Sequence, residues 1–201
     1  MAIQGIIFDM DGTLIDSKLD FNQMRADMNL AADAPILETI EAYTGERRAE
    51  CERVLRQHEA RGVEQATVFP GIPELVTYAD SLGLRMAIVT RNLIEFAEPM
   101  LEMLPVEFSP IIGREQGPIK PDPWALLHIC EIWGTKPAQA VMAGDYKFDL
   151  EAGRNAGCPT LWFSQKRNPG HSSWHDLADY TLEDNFAGGK LLDQILADHA
   201  D

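Results

Sequence analysis

Two carboxylates, Asp9 and Asp11, stand one residue apart where the apolar run of IIFDMDGTLIDS (Ile6–Ser17) ends. A second acidic pair, Asp145 and Asp149, follows another apolar run in AVMAGDYKFD (Ala140–Asp149). Like charges repel, and a carboxylate in apolar surroundings is costly unless paired. Each pair therefore calls for something positive. Four such groups in one pocket would neutralise one another by protonation unless a cation joined them. With no His or Cys beside them, an all-oxygen donor set favours a hard ion. Mg²⁺ suits a site that keeps waters and also binds a phosphate. Thr90, Arg91 and Asn92 follow one β-rich run, and Lys120 lies in QGPIKPDP (Gln116–Pro123). Hydroxyl, amide and cationic donors of this kind hold phosphate oxygens. Each piece also has a plainer reading. A DxD is often a turn, Thr90 can simply end a strand, Lys120 can be an exposed loop lysine, and Asp145 or Asp149 can cap a helix.

The chemistry requires elements that bring these residues together. Apolar runs predict strands at Ile3–Asp9, Arg85–Thr90, Val106–Gly113, Gln139–Asp145, Pro159–Phe163 and Ala178–Leu182. Helical spacing predicts helices at Ile72–Gly83, Leu93–Leu104 (with Pro99 as a kink), Pro121–Gly134, Phe148–Gly157 and Asn185–Ala200. Alternation of this kind predicts an α/β fold, a parallel sheet with helices on both faces. In such a sheet the loops at the carboxyl ends of adjacent strands gather over one crevice. From Lys18 to about Val68 only helical patterns appear and no strand is expected. The expected organisation is a core of 1–15 and 70–201 with a small all-helical cap, 16–69, inserted after the first strand. FPGIPEL (Phe69–Leu75) would be the re-entry hinge.

Composition narrows the partners. A net charge of −15 over 201 residues argues against a nucleic-acid backbone and against anionic membrane surfaces. An anionic substrate would then need local positive charge inside the site. No segment is long and apolar enough to span a bilayer. MAIQGIIFD lacks a basic region and reads as the first strand, not a signal segment. Cys51, Cys130 and Cys158 are scattered without metal-ligand spacing, so they read as reduced packing residues in a cytoplasmic protein. His171 and His175 have i,i+4 spacing, but Pro169 and Gly170 before them suggest a loop, not a second metal site. The four tryptophans read as core or interface residues.

In this order, the motifs resemble those of the haloacid dehalogenase-like hydrolase superfamily, in its phosphatase and phosphomutase branch with a Rossmann-like core. DMDGT (Asp9–Thr13) is similar to the first motif, IVTRN with Thr90 to the second, and IKPDP with Lys120 to the third. GDYKFDLEAGRNAG, carrying Asp145 and Asp149, is similar to the fourth. The resemblance runs to about Phe163. It implies that Asp9 is a nucleophile forming an aspartyl-phosphate and that Asp11 is the general acid and then the base. It implies Mg²⁺ on the Asp9 side chain, the Asp11 backbone carbonyl and the Asp145 side chain, with Asp149 in the outer shell. Thr90, Arg91, Asn92 and Lys120 would bind the phosphate. Asp11 argues for phosphate esters over haloacids, since an alkoxide needs a proton on leaving and a halide does not. The expected substrate is a small phosphorylated metabolite, phosphoglycolate or a sugar phosphate. A phosphomutase and a non-catalytic regulatory protein stand as alternatives, and the oligomeric state stays open. Tyr146 and Lys147 depart from the small residues common in relatives, Lys147 being either a phosphate contact or solvated. In the cap, Phe21 and Arg25 share a helical face. They could read the substrate, or serve as packing and a surface ion pair.

Overall fold

The computed structural model describes residues 1–164 and 172–200, and they divide into two compact units. Met1–Asp16 with Thr67–Asp201 forms the larger unit, and Ser17–Ala66 the smaller.

The larger unit is built on a six-stranded sheet in which every neighbouring pair is parallel. β1 (Gly5–Phe8) lies between β4 (Arg85–Val89) and β6 (Ala140–Gly144). β5 (Ile111–Ile112) forms one edge, and β7 (Thr160–Phe163) and β8 (Tyr180–Leu182) complete the other side. All four residues of β1 and all five of β6 are buried, as expected for strands covered on both faces. The expected strand Val106–Gly113 shrinks to two residues. Pro110 has no N–H for the ladder, so the regular register with β4 starts at Ile111, although the Ser109 amide still donates to the Met86 carbonyl at 2.8 Å and the Pro110 carbonyl accepts from the Ile88 amide at 3.0 Å.

Helices α4 (Ile72–Ser81), α5 (Ile94–Leu101), α6 (Trp124–Trp133), α7 (Lys147–Ala156) and α8 (Gly188–Asp198) belong to the same unit. Gly134 and Gly157 stop α6 and α7 in the left-handed conformation, at φ 64° and 80°. Pro99 lies within α5, which continues to Leu101. Ile7, Met142, Leu126 and Ile129 belong to one buried cluster, so α6 packs its apolar face on the sheet.

The smaller unit is helical: α1 (Phe21–Asp27), α2 (Ile36–Ala42) and α3 (Gly45–Gln65) close over Met24, Met28, Ile40, Cys51 and Leu55. One expectation fails at its borders. β2 (Ile15–Asp16) pairs antiparallel with β3 (Thr67–Val68), so a short ribbon carries the chain out of the sheet unit and back. Asp16, Thr67, Val68 and Phe69, assigned above to the cap, thus belong with the core. Two-residue strands are too short to leave a periodic signal.

No helix among the described residues is long and apolar enough to cross a membrane. Cys51, Cys130 and Cys158 are all free and buried.

Candidate active site

The sheet order brings the expected residues to one edge. Asp9 follows β1 directly, Thr90 follows β4, and Asp145 follows β6. Asp149 lies in the first turn of α7, and Lys120 precedes α6. Because β4 and β6 flank β1, their carboxyl-terminal loops stand on either side of Asp9.

Lys120 is the electrostatic centre. It is 1 % exposed, so the exposed-loop reading does not hold. Its ammonium donates to Asp9 Oδ1 at 2.5 Å and to the Val89 carbonyl at 2.7 Å, and pairs with Asp149 Oδ1 at 2.7 Å. An ammonium has three N–H donors, and these three acceptors match them. Burial acts to lower the Lys120 pKa. The charges of Asp149 and Asp9, with their hydrogen bonds, outweigh it and raise the group above the ordinary lysine value. Burial pushes the Asp9 carboxyl the other way, up to about 7. Lys120 opposes that rise, while Asp149 and Asp11 add to it.

Asp9, Asp145 and Asp149 bring carboxylate oxygens within 4.8 Å of one another. This oxygen-only donor set fits a hard divalent cation. Asp149 is engaged on both oxygens, since Oδ2 also accepts from the Tyr146 amide at 3.0 Å. Asp11 is not one of the three; its Oδ2 lies 3.4 Å from the Thr90 hydroxyl. Thr90 Oγ1 in turn accepts from the Asn92 amide at 3.0 Å. The Asn92 side chain is 4 % exposed; its Oδ1 accepts from Leu93 N, and its Nδ2 is buried with no hydrogen-bond partner. A buried amide donor without an acceptor is rare, and an oxygen-bearing ligand would satisfy it. The Arg91 guanidinium lies 4.7 Å from the centre of the Phe148 ring.

Phe21 and Arg25 belong to the smaller unit. Phe21 is 53 % exposed. Among the described residues Arg25 has no ion-pair partner. It donates to the Ala34 carbonyl at 2.9 Å, the Phe21 carbonyl at 3.1 Å and Asn22 Oδ1 at 3.3 Å, tying α1 to the following loop. His171 lies outside the described residues, and His175 packs edge-on against Trp162 at 4.8 Å.

Three contributors were missed in the sequence. Thr13 is fully buried, and its hydroxyl lies 3.3 Å from Asp9 Oδ2 and 3.4 Å from Asp145 Oδ1, linking two acidic groups 136 positions apart in the chain. The signal was Gly12, whose φ of 88° turns the chain back on itself. Trp162 donates from Nε1 to the Asp145 carbonyl at 3.1 Å, which fixes the loop after β6. Gly144 has room for no side chain, because an added Cβ would collide with Asp149 Cβ and Cγ. Gly144→Ala should therefore displace Asp149 from Lys120. A loss of about 1–3 kcal/mol is expected for such overpacking, read as a lower melting temperature in thermal unfolding.

A parallel α/β core with a buried carboxylate–ammonium pair at the carboxyl edge of its central strand, beside further acidic and hydroxyl groups, defines a hydrolase-type site. The comparisons make the class specific. The family model described as haloacid dehalogenase-like hydrolase matches residues 6–163. The chain belongs to that family. It is 33 % identical over 170 residues to a haloacid dehalogenase-like hydrolase domain-containing protein of Arabidopsis thaliana, covering 79 % of this chain and 69 % of the relative. It is 32 % identical over 200 residues to a phosphoglycolate phosphatase of Psychrobacter arcticus, covering 85 % and 87 %. Among solved structures, a hydrolase from Pseudomonas syringae superposes with a TM-score of 0.75 at 21 % identity, over 96 % of this chain and 99 % of that one, which speaks to the fold.

Proposed function

We propose that this protein is a Mg²⁺-dependent phosphatase that hydrolyses a small phosphate monoester, phosphoglycolate-like or a sugar phosphate, through an aspartyl-phosphate on Asp9. The observation that carries the reading is the buried Asp9, ion-paired to Lys120 and sharing an oxygen triad with Asp145 and Asp149. The phosphoglycolate phosphatase among the relatives supports the substrate class. Free, buried cysteines accord with a reducing compartment such as the cytoplasm.

The chemistry follows from the geometry. Asp9 attacks phosphorus as the bond to the leaving oxygen breaks, and Asp11 gives that oxygen a proton. Asp11 then takes a proton from the water that cleaves the acyl-phosphate, which frees phosphate and restores Asp9. Lys120 favours the ionised form of Asp9 and orients it, with Asp149 positioning Lys120. Thr90 and Asn92 donate to the phosphoryl oxygens, and Asn92 Nδ2 gains the acceptor it lacks. Asp9, Asp145 and the Asp11 backbone carbonyl would hold Mg²⁺, with Asp149 adjacent, and the ion would offset the repulsion between carboxylate and phosphate.

The test is phosphate release with leaving groups of graded quality. Asp11→Asn should lower release from an alkyl phosphate about 10²–10⁴-fold, the usual range for a lost general acid, and from p-nitrophenyl phosphate far less in the first step. Chelation should abolish release by the native protein, and Mg²⁺ should restore it. Equal losses with good and poor leaving groups would remove Asp11 from the acid role. Full activity in excess chelator would remove the metal.

A further inference from the structure

The carboxylate cluster and the mouth around it carry opposite charge. Asp9, Asp149 and Lys120 are 7 %, 3 % and 1 % exposed, whereas Arg91, Lys147 and Phe148 are only partly buried and Tyr146 is 45 % exposed. Phosphorus must reach Asp9 at the bottom, so the organic part of an ester lies among the shallower residues.

Those residues form one connected structure. Arg91 comes from the loop after β4 and Phe148 from the start of α7 after β6, and these strands flank β1. Strands two apart in a sheet are separated by roughly 10 Å. The 4.7 Å contact of the Arg91 guanidinium with the Phe148 ring therefore crosses the line of β1, above the strand end that carries Asp9. The Lys147 ammonium lies 5.1 Å from the same ring. Phe148 is backed by a run of edge-to-face aromatic contacts: to Tyr146 at 5.2 Å, from Tyr146 to Trp174 at 5.0 Å, and from Trp174 to the buried Trp162 at 5.9 Å. Trp162 ends the run by holding the Asp145 carbonyl. Two cations share one anchored ring in a chain of net charge −15, where lysine and arginine are outnumbered by 17 to 32. Lys120 commits its donors to Asp9, Asp149 and Val89, so its charge is spent inside the cluster. Stacking uses the flat face of a guanidinium, and its N–H donors lie in the plane, so one arginine can stack and still donate to an anion.

We propose that Arg91, steadied across the mouth by Phe148 and joined there by Lys147, is a specificity-determining residue of the sheet unit that selects monoesters whose organic part carries a second anionic group. This rests on the phosphatase reading above and adds the substrate feature the core itself reads. A carboxylate and a second phosphate share the required chemistry.

The experiment compares ethyl phosphate, phosphoglycolate and ethylene glycol bisphosphate, three small esters with a neutral, a carboxylate and a phosphate tail. In the native protein, kcat/KM is expected to be at least tenfold higher for an anionic tail. Arg91→Met should lower kcat/KM about 10–100-fold on that ester, mainly through KM, and much less on ethyl phosphate, so the preference collapses. Arg91→Lys should restore part of it, and Phe148→Leu, which keeps both charges but removes the ring, should weaken it. The anionic ester that loses more names the tail. Equal losses on all three esters, or no native preference, overturn the inference and leave the phosphatase standing. No phosphate from any ester in the presence of Mg²⁺ overturns both.

Discussion

Asp9→Asn is expected to reduce phosphate release to background, a fall on the order of 10⁴-fold or more, as for removal of a nucleophile that nothing else replaces. The carboxamide is nearly the same size, so the side chain still fits beside Lys120. It cannot ionise, and its neutral oxygen cannot form the acyl-phosphate. The exchange also replaces one of the three carboxylates whose oxygens lie within 4.8 Å by a neutral amide, a weaker donor to a cation. Two measurements separate these effects. Phosphate release under saturating Mg²⁺ reports the chemistry. Mass spectrometry after an acid quench should find a phosphate adduct on the native protein and none on the variant. Substantial turnover by Asp9→Asn would move the nucleophile elsewhere.

Lys120→Met is expected to be the most destabilising single change in the site. The ammonium is 1 % exposed and pairs with two carboxylates that are themselves buried. Removing it leaves Asp9 and Asp149 facing each other without a counter-charge. Breaking a buried ion pair in this way costs about 3–5 kcal/mol. For a chain of this size that is a fall in melting temperature of roughly 10 °C. The pH dependence carries a definite sign. Native Lys120 has its pKa raised above the ordinary 10.5, so its stabilisation is present below that value and is lost as pH rises through the raised one. Native Asp9 is already raised to about 7 with Lys120 opposing the rise, so without the ammonium it is pushed higher still. Above about pH 7 the folded variant then keeps a proton that the folded native protein has lost, so the variant's deficit is smallest below about pH 7 and grows above it. Calorimetry at about pH 6 and about pH 8.5 checks this. A deficit that does not change with pH would mean that Lys120 acts mainly as packing.

The parts of the site legible in the sequence were those that depend on strand ends. An apolar run followed by a polar residue marks both where a parallel strand stops and what it delivers, which placed Asp9, Thr90 and Asp145 correctly at one sheet edge. What Lys120 touches could not be read that way. Its acceptors come from Asp9, Val89 and Asp149, and only the closed sheet makes them neighbours. Trp162 looked like plain core for the same reason, since its link to Asp145 is a single hydrogen bond from a buried strand. Element limits slipped where backbone chemistry outweighed composition. Apolar residues around Pro110 suggest a long strand; the missing N–H breaks the regular register there, and only Ile111–Ile112 keep it. The ribbon of β2 and β3 escaped notice because two residues cannot show alternation.

That ribbon has a consequence for how such a chain can change. Asp16 and Thr67 face each other in register, so the whole of Ser17–Ala66 is a loop whose two ends are already clamped together. Closing a loop of twice the length costs only about 0.6 kcal/mol more. A graft of different size and sequence could be spliced between those two residues without disturbing the strand that delivers Asp9. The ribbon works as a socket: the strand end that carries Asp9 is built without the segment between β2 and β3, so that segment can be exchanged over evolutionary time.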